Sequence, residues 1–141
     1  MAANFELKVL SPSRAVANVK ASAVTLPGTE GYMTILPEHA GMVAELDLGE
    51  VTYTTAEGGS ERYFISGGYV EVEGEHVTIL ADIIERAKEI DLARAQNARK
   101  RAADRLAQNT PETDTQRATR ALRRADQRIL IVQTMASIAK S

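Results

Sequence analysis

The 141-residue chain has no cysteine and no tryptophan, and its aromatic content is two phenylalanines and four tyrosines. Without cysteine, disulfides and thiolate metal centres are excluded, while the redox compartment is left open. Two histidines, His39 and His76, are too few for a histidine-rich metal site, and no metal ligand set is expected. No apolar run approaches the length of a membrane span. The opening Met1-Ala-Ala-Asn-Phe-Glu has neither a charged n-region nor an apolar h-region, so no secretory signal is expected, and a cytosolic bacterial or organellar protein is the default. Walker A and dinucleotide glycine loops are both missing. Ser66 stands in Phe-Ile-Ser-Gly-Gly, which lacks the glycine two residues before serine that a nucleophile elbow uses. Glu71, Glu73 and Glu75 alternate as the solvated face of a strand would. The expectation is a protein that is not an enzyme.

Positive charge is scarce in the first part of the chain and crowded into the last. Residues 1–85 carry Lys8, Arg14, Lys20 and Arg62 against thirteen Asp/Glu, a net of −9, and residues 86–141 carry thirteen Lys/Arg against six Asp/Glu, a net of +7. The overall −2 hides this polarity. Such an acidic body with a basic, alanine-rich arm suits a protein that reaches an acidic or phosphorylated partner. A nucleic-acid ligand for the arm is argued against by the acidic body, the pI of about 5.7 and the lack of any Phe, Tyr or Trp beyond residue 85 to stack on bases.

The first part reads as short strands. Phe5–Leu10 alternates apolar and charged residues. Arg14–Leu26 is rich in Val and Ala and is closed by Pro27-Gly28. Met33–Leu36 stops at Pro37, and the run from Gly49 to Thr54 stops at Glu57-Gly-Gly-Ser60. Arg62–Ser66 and Tyr69–Glu73 flank Gly67-Gly68, and Gly74-Glu75 sets a tight hairpin into His76–Ala81. Strands spaced every 8–12 residues or so predict a β-sandwich or barrel. The character changes near Asp82. Lys88–Gln108 has neither Gly nor Pro and is filled with strong helix formers. Asn109-Thr110-Pro111 breaks it, and Thr113-x-x-Gln116, with Glu112 and Asp114 favourably placed for the dipole, predicts a capping box for a second helix ending near Ala139. The fold class is therefore α+β: an N-terminal β-sandwich over residues 1–85, then an antiparallel two-helix hairpin over 86–141. Its seam is expected to be thin, formed by Leu92, Ala95, Ala98, Ala102 and Leu106 against Ala118, Ala121, Leu122, Ala125, Ile129 and Val132.

Arg94, Arg101 and Arg105 recur at intervals of seven and four and share a helix face. Arg117, Arg120, Arg124 and Arg128 form a similar stripe. Guanidiniums that converge across a hairpin would bind phosphates or carboxylates.

At Ile90-Asp91-Leu92-Ala93-Arg94-Ala95 the chain resembles the signature that opens the C-terminal helices in the epsilon subunit of bacterial F-type ATP synthases. Pro27-Gly-x-x-Gly31, Leu36-Pro-x-His-Ala40, Phe64-Ile-Ser-Gly-Gly-Tyr69, Val77-Thr-Ile-Leu-Ala-Asp82 and Glu85-Arg86-Ala87 extend the resemblance in order over essentially the full length. It implies a non-catalytic central-stalk rotor subunit whose β-sandwich docks on the gamma subunit and the c-ring, helping couple proton flow to ATP synthesis. It also implies an arm that extends into the alpha and beta subunits of the catalytic head and inhibits hydrolysis. The location implied is the cytoplasmic face of a bacterial inner membrane, reached only through the complex. No cofactor is required, although some family members bind ATP as a regulatory ligand on the folded hairpin. Carried over by motif, the nucleotide candidates are Glu85, Ile90, Asp91, Arg94, Ala95, Arg101, Arg124 and Arg128. Inhibitory contacts fall to Arg117, Arg120, Arg123, Arg124 and Arg128, and c-ring or stalk contacts to Gly28, Glu30, Tyr32, His39 and Met42. A stand-alone ATP sensor with no rotor role is the rival within this reading.

Overall fold

The computed structural model describes residues 3–108, 110–111 and 113–139. It divides into two compact units between Arg86 and Ala87, because the last strand continues to Arg86. The first unit holds six strands: β1 (Phe5–Leu10), β2 (Ala15–Gly28), β3 (Gly31–Ile35), β4 (Met42–Thr55), β5 (Ser60–Glu73) and β6 (His76–Arg86). They run in the order β1-β6-β5-β4-β2-β3, and a further β1–β2 pairing closes the sheet on itself with β3 as the outlying strand. β1 is antiparallel to β2 and parallel to β6. Closure removes the free edges that β1 and β2 would otherwise expose.

The alternation read in β1 is obeyed: Phe5, Leu7 and Val9 are buried, and Glu6 and Lys8 are exposed. Inward positions of the other strands complete the core, with Leu26, Ile35, Val51, Ile65, Val70 and Ile79 fully enclosed. Outward Glu71, Glu73 and Glu75 are solvated. Tyr53 and Tyr63 stack at 5.8 Å between ring centroids, with their hydroxyls 3.2 Å apart. Burial, followed by that hydroxyl contact, holds the Tyr53 phenol far above its ordinary range. Arg86, the last residue of β6, lies 5.3 Å from the Tyr63 ring centre and donates to the Val16 carbonyl at 3.2 Å.

Three strands are longer than their turn residues suggest. β4 starts at Met42, not Gly49, because Gly49 is a strand position crossed by other side chains. A Cβ there would lie 2.5 Å from the Tyr32 hydroxyl and 2.7 Å from Pro27. β5 runs unbroken through Gly67-Gly68, where two strands had been expected. The φ angles of 80° and 131° at these glycines bend the strand without shifting its pairing, since Ser66 still faces Ile83 and Gly68 faces Ala81. A Cβ on Gly68 would sit 2.0 Å from the Leu80 carbonyl oxygen. β6 continues past Ala81 because Ile83 and Ile84 extend the ladder to Tyr63↔Arg86. Strands of 14 residues can close around a small core only if they bend in this way.

The second unit begins with a 3-10 turn at Ala87–Glu89, followed by α1 (Leu92–Gln108) and α2 (Thr115–Ala139). The first helix thus starts later than Lys88. Asp91 is its N-cap, its Oδ1 accepting from the Arg94 amide at 3.1 Å. α2 repeats the device: Asp114 Oδ1 accepts from the Arg117 amide at 3.0 Å. Asp114 therefore takes the place of the capping box expected at Thr113, whose hydroxyl instead accepts from the Thr110 amide within the connection at 3.2 Å. Asn109 and Glu112, expected in the break and at the dipole, lie outside the described residues. No helix among the described residues is long and apolar enough to cross a membrane.

Candidate functional site

The hairpin is held by small side chains. Ala95 and Ala102 on α1 and Ala118 and Ala125 on α2 are buried, whereas Leu92, Ala98, Leu106, Ala121 and Leu122 are only half-buried. Toward the end of α2, Ile129 and Val132 stay within about 30° of the Ala118–Ala125 line and are half-buried, whereas fully buried Ile131 lies about 130° from it and is not part of the seam. Arg99 Nε donates to Asp126 Oδ1 at 2.6 Å across the pair. Nearer the connection, Arg105 and Arg117 line one cavity of about 330 Å³ together with Gln108, Thr110, Thr113 and Asp114. These two levels establish the antiparallel arrangement.

They also fix where the arginines go. At 3.6 residues per turn each residue advances about 100°. Measured from the Ala95–Ala102 line, Arg99 lies about 50° to one side and Arg94, Arg101 and Arg105 about 70–110° to the other. Measured from Ala118–Ala125, Asp126 lies about 90° to one side and Arg117, Arg124 and Arg128 about 70–110° to the other. In an antiparallel pair, equal senses of rotation lead to the same side, and the Arg99–Asp126 bond marks which side that is. The two arginine triplets therefore converge on the opposite face. Axial levels pair Arg105 with Arg117, Arg101 with Arg124, and Arg94 with Arg128, a span of about 16 Å along α1. Arg94, Arg101, Arg105 and Arg117 are exposed, and Arg124 and Arg128 are half-buried. Arg120, read as part of the α2 stripe, and Arg123, a candidate inhibitory contact, turn toward the back of the helix by the same count and do not join this face.

The other nucleotide candidates fall in different places. Asp91 orders the start of α1 through its cap. Ile90 is half-buried, its amide donating to the Ala87 carbonyl at 3.3 Å. Ala95 is part of the seam. Glu85 belongs to the first unit, on β6 opposite Phe64. What the sequence left unread was Arg99–Asp126. Its signal was present in the position of Arg99 four residues after Ala95 and of Asp126 next to Ala125, both flanking the seam.

On the β-unit the contact candidates divide by exposure. Glu30 is exposed in the turn between β2 and β3. Tyr32 is 58% exposed, yet its hydroxyl accepts from the Glu50 amide at 2.9 Å, which holds the ring across Gly49. Gly28 is buried, and half-buried His39 is hydrogen-bonded through Nδ1 to the Ala40 carbonyl oxygen at 2.8 Å. Met42 packs against the core, and its neighbour Val43 is the outward apolar residue, 70% exposed. Tyr69 and Leu80 face each other across β5 and β6, and Glu45 faces Tyr69 from β4. With Val43 two residues from Glu45, this gives one exposed apolar patch on the sheet.

Comparison with known proteins agrees with this layout. The family described as "ATP synthase, Delta/Epsilon chain, beta-sandwich domain" matches residues 4–87, and its "long alpha-helix domain" matches residues 88–133. The chain is 42% identical over 127 residues to the ATP synthase epsilon chain of Moorella thermoacetica, covering 90% of this chain and 95% of that one. It is 47% identical over 111 residues to the epsilon chain of Carboxydothermus hydrogenoformans, covering 79% and 82%. Among solved structures it resembles in fold a chain of the mitochondrial ATP synthase of Euglena gracilis, determined as an OSCP/F1/c-ring assembly. That match has a TM-score of 0.79 at 23% identity, over 88% of this chain and 78% of the other.

Proposed function

From the premise that the chain belongs to the ATP synthase delta/epsilon chain family, we propose that it is a non-catalytic rotor subunit of the central stalk, helping couple proton flow to ATP synthesis, whose basic hairpin restrains ATP hydrolysis. The β-unit is the docking body. Its patch of Val43, Tyr69 and Leu80, rimmed by Glu45 and Glu71, faces the gamma subunit, and the segment from Gly28 to Met42, with Glu30 and Tyr32 outward, faces the c-ring. Apolar area of this kind on a small closed sheet suits a permanent partner.

The observation that carries the regulatory reading is the convergence of six arginines on one face of a hairpin whose buried seam is largely alanine. Acidic surfaces of the alpha and beta subunits would meet that charge in the extended state. ATP would meet it in the folded state, its phosphates between Arg101–Arg124 and Arg94–Arg128. A ligand confined to the folded hairpin stabilises it by about 2.7 kcal/mol at a hundredfold excess over its Kd, enough to offset a thin seam. High ATP then releases the brake and low ATP engages it.

The test is hydrolysis by the reconstituted synthase with the full chain, a truncation ending at Glu89, and a variant with Arg94, Arg101, Arg124 and Arg128 changed to Ala. Truncation should raise hydrolysis with coupling largely intact. Calorimetry on the subunit should give ATP binding that is lost in the arginine variant. Equal hydrolysis with and without the arm rejects the brake, and the absence of heat at millimolar ATP rejects nucleotide sensing. Co-purification with gamma and the catalytic subunits separates the rotor reading from a free-standing ATP sensor.

A further inference from the structure

We propose that the Arg99–Asp126 pair is a positioning clasp for the hairpin: it fixes the roll and axial level of α1 against α2, and thereby the alignment of the arginine rungs on the opposite face. The seam explains the need. Alanine brings helices close but offers no knobs to lock their rotation, since roll and register are set by side chains interdigitating as ridges in grooves. The fully buried facing residues are four alanines, and the leucines beside them, Leu92, Leu106 and Leu122, are only half-buried, so roll and register are weakly held by packing. Like charges on the arginine face push that edge apart. Arg99 and Asp126 stand on the other edge, within 2.6 Å of each other, with side chains 52% and 50% exposed. An Nε–H donor aimed at one carboxylate oxygen is directional as well as attractive. It holds that edge closed independently of what binds on the arginine edge.

The clasp is a property of the hairpin itself and does not depend on what binds the arginines. Its consequence for ATP affinity does rest on the nucleotide reading above.

The full-length subunit lends itself to the test, because a chain without cysteine accepts two spin labels cleanly. Labels at Gln96→Cys and Gln133→Cys, both on exposed positions of the clasp side, report the separation of the two helices by pulsed EPR. Without ligand, Arg99→Gln should raise the ratio of separated to paired hairpins about two- to fivefold, the size a half-exposed ion pair supports. Arg99→Asp and Asp126→Arg should raise it at least as much. The swap Arg99→Asp with Asp126→Arg should bring it back to the parent value. Unchanged distances in the single variants, or a swap as open as the singles, would overturn the proposal. As a second readout, ATP affinity should fall in proportion to the paired fraction in the singles and recover in the swap. If the parent binds no ATP, the nucleotide reading fails while the EPR distances still judge the clasp.

Discussion

The β-unit and the hairpin solve the problem of stability in opposite ways. The first closes its sheet and buries large side chains such as Tyr63, Phe64, Ile65 and Ile79. The second buries mainly alanines, and its order comes from aspartate caps at Asp91 and Asp114 and a charged contact across the pair. At about 25 cal/mol per Å² of apolar surface, the closed sheet gains several times more per residue than the alanine seam. The contrast teaches a division of labour. Under the proposed function, the body that docks is built on area, and the arm that opens is built on contacts that cost little to break.

The largest test of this contrast is at Gly68. Gly68→Val places a side chain at a φ of 131° against the Leu80 carbonyl, and the β-unit should lose about 4 kcal/mol or more, or fail to fold. Denaturant unfolding followed by tyrosine fluorescence checks this, and a mild effect would mean that β5 can bend elsewhere. Next is a matched pair of truncations. Ile65→Ala in the closed sheet should cost about 3 kcal/mol, and Ala102→Gly in the seam about 1 kcal/mol. Similar costs would erase the distinction between the regions.

Alkaline pH sharpens the comparison further, because every tyrosine lies in the β-unit. Tyr53 ionises far above its ordinary value when folded. The unfolded chain therefore releases this proton first, and the β-unit's stability is full below about pH 10 and falls as pH rises beyond it. Spectrophotometric titration compared with Tyr53→Phe should show the Tyr53 phenol withheld until the sheet unfolds, and Tyr53→Phe should flatten the alkaline loss. The hairpin has no tyrosine to titrate, so its helicity should not follow that step. The smallest expected effect is Asp91→Ala, which should cost the arm about 1 kcal/mol by removing an N-cap. It should lower far-ultraviolet helicity on heating and leave the sheet transition in place.

Much of the fold could be read directly. Alternation in Phe5–Leu10, the two-residue hairpin at Gly74-Glu75 and the Gly- and Pro-free helix that ends at Gln108 are local signals, and local chemistry decides them. Glycine is a poor guide to the strand ends here. Gly49 and Gly67-Gly68 lie inside strands because another part of the chain crosses them closely, and nothing in the neighbouring residues reports that crossing. The helix caps are half legible: Asp91 stands in a motif, while the Thr113-x-x-Gln116 pattern points one residue short of Asp114, which stands immediately before the first helical residue.

By itself the sequence determined the class of each region, the polarity of charge between them and the family. These follow from composition, periodicity and ordered motifs that need no partner in space. Only the tertiary structure decided that β1 bridges β2 and β6 to close the sheet, that Met42 turns inward and Val43 outward, and that two arginine triplets share a face opposite Arg99–Asp126. Those facts depend on register and roll between segments distant in sequence. A shift of one residue in a strand, or of 100° on a helix, moves a side chain to a different face without changing a letter of the local pattern.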